Sequence, residues 1–79
     1  MAAMKLTDRI VADPEILGGK PIVAGTRISV QFVLGQLGRG VTIDELIQQY
    51  GQLRREDVLA AIEFASESVG REAFFATKG

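Results

Sequence analysis

The sequence of 79 residues contains no cysteine and no histidine. Without cysteine, the chain can form neither a disulfide nor a thiolate metal site. Without histidine, it lacks the commonest general base and the commonest side-chain ligand of zinc. We therefore expect no enzymatic activity, no catalytic residue, no bound metal and no cofactor. Because disulfides persist in oxidising compartments, their absence fits a cytoplasmic protein.

Long apolar runs are also absent. No stretch approaches the roughly 20 apolar residues that a membrane-spanning helix needs, and the N-terminus has no apolar segment like that of a secretory signal. The length predicts one domain over residues 1–79. A domain this small buries only roughly 60% of its unfolded surface, so association with a partner is expected to help its stability.

Acidic residues are missing from one long stretch. The net charge is only −1, but no acid lies between Ile16 and Ile43, where Lys20, Arg27 and Arg39 fall. Residues 1–40 hold five basic and three acidic residues, whereas residues 41–79 hold four basic and seven acidic residues. Two interpretations stay open, namely a basic surface in the N-terminal half or a chance distribution of cations.

The N-terminal part, residues 8–28, is predicted to form short strands and turns. Residues 9–12, 21–23 and 26–28 have the composition of short strands. Asp13-Pro14 ends the first, because proline cannot donate to a strand ladder. The glycines at 18, 19 and 25 indicate turns.

Helical periodicity covers residues 29–69. Ser29 is predicted to cap a first helix that glycines at 38 and 40 terminate. Thr42 and Glu45 have the spacing of a capping box at the start of a second helix, which runs to about Tyr50 and ends at Gly51. A third helix is predicted from about Arg54, a poor capping residue, to Val69, with Gly70 either ending or weakening it. Its predicted apolar stripe is Val58, Ala61, Ile62, Ala65 and Val69.

These elements predict a mainly α fold. Three helices form a helix-turn-helix-like bundle preceded by short N-terminal β-strands and turns, and residues 70–79 form a tail. The link Gly51-Gln52-Leu53 is the short, glycine-containing turn expected between the paired helices of a helix-turn-helix.

The segment Gly18-Gly19-Lys20-Pro21-Ile22-Val23-Ala24-Gly25-Thr26-Arg27-Ile28 resembles the signature of a prokaryotic family called domain of unknown function 433. The resemblance extends over roughly residues 8–66. It implies a homeodomain-like or winged-helix-like fold. It also implies the role of an antitoxin in a toxin–antitoxin pair, whose partner is a PIN-like ribonuclease. Arg54 departs from the serine or threonine cap of many relatives.

Arg54, Arg55 and Gln52 are candidate DNA-binding residues, because the second of the paired helices in a helix-turn-helix enters the major groove with its N-terminal residues foremost. Thr26 and Arg27, with Lys20 nearby, are candidates for contact with phosphate. The acids at 56, 57, 63 and 67 weigh against this role, because they would face phosphates unless rotated away. The Gly25-Thr26-Arg27-Ile28 motif has a structural interpretation too, in which Gly25 makes a tight turn, Thr26 bonds locally and Ile28 fills the core. The candidates are Lys20, Thr26, Arg27, Arg39, Gln52, Arg54 and Arg55.

The expected function is therefore a homodimeric antitoxin that binds operator DNA and neutralises a partner toxin. Phe74 and Phe75 in the tail are candidate contacts with that partner or with a second copy, because aromatic side chains dominate interface energetics. They could also pack against the protein's own core. The alternative function is a protein-binding module without DNA-binding activity, whose acidic C-terminal half binds a basic partner.

Overall fold

The structure, a computed structural model, describes residues 3–71. A short antiparallel sheet precedes three helices, which confirms the predicted mainly α fold. The strands are β1 (Met4–Lys5), β2 (Ile10–Ala12) and β3 (Pro21–Val23), in the order β1-β2-β3, and a 3₁₀ turn spans Leu17–Gly19. The helices are α1 (Val30–Gly38), α2 (Ile43–Gln49) and α3 (Arg55–Arg71).

The predicted helix starts at Ser29 and Thr42 are confirmed. The Ser29 hydroxyl accepts from the backbone N–H of Phe32 at 2.9 Å. Thr42 and Glu45 form both halves of a capping box, with donor–acceptor distances of 2.9 and 3.1 Å. These contacts span only three residues, so sequence spacing suffices to predict them.

The end of α1 depends on Gly40, which has φ +99. Its N–H donates to the carbonyl of Leu37, and the N–H of Val41 donates to that of Gln36. This pair of bonds is a Schellman motif, which satisfies carbonyls that the helix end leaves open.

The predicted strand at residues 26–28 is wrong. Gly25, with φ +80, and Thr26 form a tight turn, and the chain meets β3 again only through an isolated bridge between Ile22 and Ser29. The turn brings Ile28 back so that its carbonyl accepts from the N–H of Val23 at 2.9 Å. A strand cannot continue there because α1 starts immediately afterwards.

The helix boundaries also differ slightly from the prediction. α2 ends at Gln49, before Gly51, and α3 continues through Gly70 to Arg71. In α3 the predicted stripe members Ile62 and Val69 are exposed. The predicted members Val58 and Ala61 are buried and Ala65 is half-buried. Asp57 and the half-buried Phe64 complete the buried line, because α3 packs mainly against α1 while also contacting α2 and β2.

One hydrophobic core joins the sheet to all three helices. The sheet contributes Ile10 and Val23, and the Gly51–Leu53 link contributes Leu53. Side chains of all three helices complete it, and each helix buries only part of its surface there. The helical members are Val30, Val33, Leu46, Val58 and Ala61.

Candidate functional site

A groove of about 450 Å³ lies between the loop that joins β1 to β2 and the exposed face of α3. We call it the acidic groove. Four of its side chains are carboxylates, and only one, Arg9, is a cation. Its lining comprises Thr7, Asp8, Arg9, Glu56, Leu59, Ala60, Glu63, Phe64 and Glu67.

The wall on α3 results from helical spacing. Glu56, Glu63 and Glu67 are seven and four residues apart, which is about two turns and one turn, so they lie on one face. Leu59 lies between the first two and is 50% exposed. The face therefore combines a row of negative charge with a large apolar side chain.

The opposite wall is held by local bonds of the β1–β2 loop. The hydroxyl of Thr7 accepts from the backbone N–H groups of Arg9 and Ile10, at 3.3 and 3.1 Å. The N–H groups of Leu6 and Thr7 both donate to the carbonyl of Ile10. These bonds fix the loop, which carries the exposed Asp8 to the rim of the groove.

Asp57 joins the two walls. This carboxylate is only 7% exposed and accepts from the backbone N–H of Arg54 and from the guanidinium of Arg9, both at 3.0 Å. The first bond caps α3, where Arg54 itself supplies no side-chain cap. The second bond compensates the Arg9 charge. Lys5 pairs with Asp8 at 3.5 Å, so the negative charge of the groove comes mainly from the three glutamates of α3. Sequence reasoning missed this clamp because Arg9 and Asp57 are 48 residues apart.

The candidate DNA-binding residues do not form one patch. Lys20 donates to Gln31 at 3.3 Å, beside an apolar groove between α1 and α3, and Arg39 follows the end of α1. Arg27 and Gln52 line a common depression between the Gly25 turn and the α2–α3 link. Thr26 lines the same depression, so the structure brings Gln52 together with the Thr26-Arg27 pair.

Arg54 and Arg55 are exposed at the start of α3. Arg55 pairs with Asp44 of α2, and this carboxylate weakens the attraction of Arg55 for a negatively charged ligand. From residue 56 to residue 70 the helix contains no cation, and the exposed face carries the glutamates of the acidic groove. A helix with this face would present carboxylates to DNA phosphates.

Thr26 has a structural position. It is buried, its hydroxyl donates to the carbonyl of Val23 at 2.8 Å, and it accepts from the N–H of Ile28 at 3.0 Å. Gly25 has φ +80, and Ile28 packs against the core. The Gly25-Thr26-Arg27-Ile28 motif therefore forms a tight turn that is fixed by Thr26 and packed through Ile28. Of its side chains, only Arg27 is available to a ligand.

Phe74 and Phe75 lie outside the described residues. Within residues 3–71, no group of three or more acidic side chains is arranged to hold a metal ion. No helix in that same range is long and apolar enough to cross a bilayer.

Comparisons with known proteins place this arrangement in a family. Residues 10–65 match the family described as "Protein of unknown function (DUF433)". An uncharacterized protein of Sinorhizobium fredii, y4eO, is 30% identical over 56 residues, which cover 71% of this chain and 25% of that protein. The chain thus spans about a quarter of that relative's length.

A solved structure is similar as well. The crystal structure of a DUF433 member from Anabaena variabilis superposes with a TM-score of 0.75 at 27% identity. The match covers 84% of this chain and 65% of that one, so the crystallised protein also extends beyond the shared region.

Proposed function

The chain belongs to the DUF433 family, whose function is unknown, and we propose that it is a protein-binding antitoxin whose acidic groove binds a basic surface of a partner protein. The acidic groove carries this proposal: four carboxylates and an exposed leucine line one depression. A PIN-like ribonuclease, the partner that the family resemblance implies, would offer the matching surface. An enzyme that binds RNA needs cations for the phosphates, and a row of carboxylates competes for the same cations. The proposal places the protein in the cytoplasm.

The charges and Leu59 would have different effects on binding. Opposite charges at the rim of an interface mainly accelerate encounter and make the association sensitive to salt. A large apolar side chain that becomes fully desolvated contributes more to the lifetime of a complex. Leu59, with glutamates on both sides along α3, is placed to be that anchor.

We expect Glu63→Gln to weaken partner binding about tenfold, equivalent to about 1.4 kcal/mol, because one carboxylate of the groove is lost. The variant changes no described hydrogen bond, since the Glu63 side chain makes none within residues 3–71 and its backbone stays helical. The measurement is calorimetric titration of the full chain with a PIN-like ribonuclease from the same organism, at two salt concentrations, together with the inhibition of RNA cleavage.

Glu15→Gln is the matched control, because Glu15 is an exposed carboxylate outside the groove whose side chain makes no hydrogen bond within the described range. Equal affinities for wild type, Glu63→Gln and a combined Glu56, Glu63 and Glu67 to Gln variant would reject the acidic groove as the binding site. Failure of the wild type to bind that ribonuclease would reject this partner.

Operator DNA is a second candidate ligand. The motivating observation is the exposed pair Arg54 and Arg55 at the start of α3, two and three residues after Gln52, which lines a depression with Arg27. A homodimer would present two such helix starts to two half-sites. The acidic face of α3 leaves only this first turn for contact with phosphates.

If DNA is bound, we expect a mobility shift with the promoter of the chain's own gene that weakens steeply with salt. Replacing Arg54 by alanine should lower the slope of log affinity against log salt by about 0.9, which corresponds to one lost phosphate contact. Glu15→Gln again serves as the control. No shift at low salt, with and without the ribonuclease, would exclude DNA as a ligand.

A further inference from the structure

Another surface depression, of about 400 Å³, shares no residue with the acidic groove. We call it the Leu17–Arg27 depression. It lies where the 3₁₀ turn, the start of α1 and the end of α2 meet. Its lining comprises Leu17, Arg27, Ile28, Ser29, Phe32 and Tyr50.

Leu17 has an unusual backbone conformation. Within residues 3–71 it is the only residue other than glycine with positive φ, at +52, and Gly18 and Gly19 follow at +66 and +88. A bulky side chain rarely adopts this conformation, and such strained positions concentrate at functional sites. The side chain is nevertheless 45% exposed and does not belong to the core. The strain therefore yields no burial within the fold, which favours a role in contact with another molecule.

The depression contains a fixed aromatic pair. Phe32 of α1 and Tyr50 after α2 meet edge to face, with ring centroids 5.4 Å apart and planes at 84°. Both are half-buried, and Phe32 lies in the first turn of α1, where its N–H donates to the Ser29 cap, so the rings are positioned before any ligand arrives. Tyrosine and arginine are enriched among the residues that dominate binding energy at protein interfaces.

Arg27 supplies the charge of this surface. It is exposed and makes no ion pair with any residue from 3 to 71. Asp13 lines the depression that Arg27 shares with Gln52, but among residues 3–71 no carboxylate oxygen lies within 4 Å of the Arg27 guanidinium. The guanidinium is therefore open to a carboxylate of a ligand.

From this geometry we propose that the Leu17–Arg27 depression binds an acidic segment of a partner protein. An apolar side chain of that segment packs against Leu17, Phe32 and Tyr50, and an adjacent carboxylate pairs with Arg27. Nucleic acid fits less well, because a strand carries a phosphate about every 3.4 Å and the lining offers a single cation, Arg27, while its two rings pack edge to face against each other. This surface goes beyond the proposed function, and it differs in charge from the acidic groove.

The test is selection of random 12-residue peptides, displayed on phage, against the full chain. We expect the enriched peptides to carry a leucine or an aromatic residue next to Asp or Glu. Synthetic versions should bind Arg27→Glu at least tenfold more weakly than wild type, whereas Glu63→Gln in the acidic groove should leave their affinity unchanged.

Leu17→Asn separates binding from folding. Asparagine tolerates positive φ but lacks the apolar side chain. We expect it to reduce peptide affinity about tenfold without lowering the midpoint of thermal unfolding. A lower midpoint with unchanged affinity would assign Leu17 a structural role and overturn this part of the proposal.

Three other results would overturn the proposal. The first is enrichment of basic peptides whose binding depends on Glu63, which would locate them in the acidic groove. The second is loss of DNA binding in Arg27→Glu with no peptide enriched, which would make this a nucleic-acid surface. The third is concentration-dependent self-association of the wild type that Arg27→Glu abolishes, which would make a second copy the occupant.

Discussion

Replacing Leu46 by alanine is expected to lower the free energy of unfolding by about 3 kcal/mol, within the range of roughly 2–5 kcal/mol for buried leucines. Leu46 is 0% exposed and is the only fully buried residue of α2. A helix of seven residues is too short to form alone in water, so α2 depends on this side chain for its attachment. A domain of this size has little stability to lose.

The measurement is thermal and urea unfolding of the full chain followed by circular dichroism. Each 1 kcal/mol shifts the midpoint of a domain this size by roughly 4–8 °C, so a fall of roughly 12–24 °C is expected. Leu59→Ala is the matched control, since the same atoms are removed from a side chain that is 50% exposed. Its expected loss is about 0.5 kcal/mol or less. Equal losses for the two variants would contradict the placement of Leu46 in the core.

Replacing Asp57 by alanine is expected to lower the free energy of unfolding by about 2 kcal/mol, an unusually large effect for a charged residue. The substitution leaves the N–H of Arg54 without its cap and the Arg9 guanidinium without its partner. Loss of a helix cap typically costs about 1 kcal/mol, and a hydrogen bond to a charged group contributes roughly 1.5–3 kcal/mol. Arg9 is almost half exposed, which keeps the total below the sum of the two.

Asp57→Asn distinguishes the two contributions, because its amide oxygen still accepts from the N–H of Arg54 but carries no charge for Arg9. We expect its free energy of unfolding, measured with urea, to lie between those of the wild type and Asp57→Ala. Asp44→Ala is the control: Asp44 pairs with Arg55 on the surface, where such pairs contribute at most about 1 kcal/mol. If Asp44→Ala is as damaging as Asp57→Ala, the clamp between the sheet and α3 is not what stabilises this region.

Most of the fold could be predicted from local patterns. The errors arose where contacts between segments, and not near neighbours, decide the conformation. Ser29 and the pair Thr42 and Glu45 stabilise helix starts through bonds three residues long, so spacing alone predicts them. The predicted strand at 26–28 failed because strand composition cannot reveal that Thr26 turns the chain back to Val23.

The surfaces were predictable in part. The acidic character of α3 and its spacing of glutamates are present in the sequence, and the alternative of a basic protein partner followed from them. The other wall of the acidic groove was not predictable, because it comes from the β1–β2 loop, some 50 residues away. The Leu17–Arg27 depression likewise combines three segments that no local pattern connects.

The sequence by itself determined the class of the protein: three striped helices after short strands, without cysteine or histidine chemistry. Periodicity and capping depend on residues a few positions apart, and composition depends on no contact at all. These features can therefore be read without the tertiary structure. Only the tertiary structure decided which face of each element is available to a ligand. It rotated the buried line of α3 toward Phe64 and joined Arg9 to Asp57. Those choices follow from how the sheet and helices share one small core, which no single segment specifies.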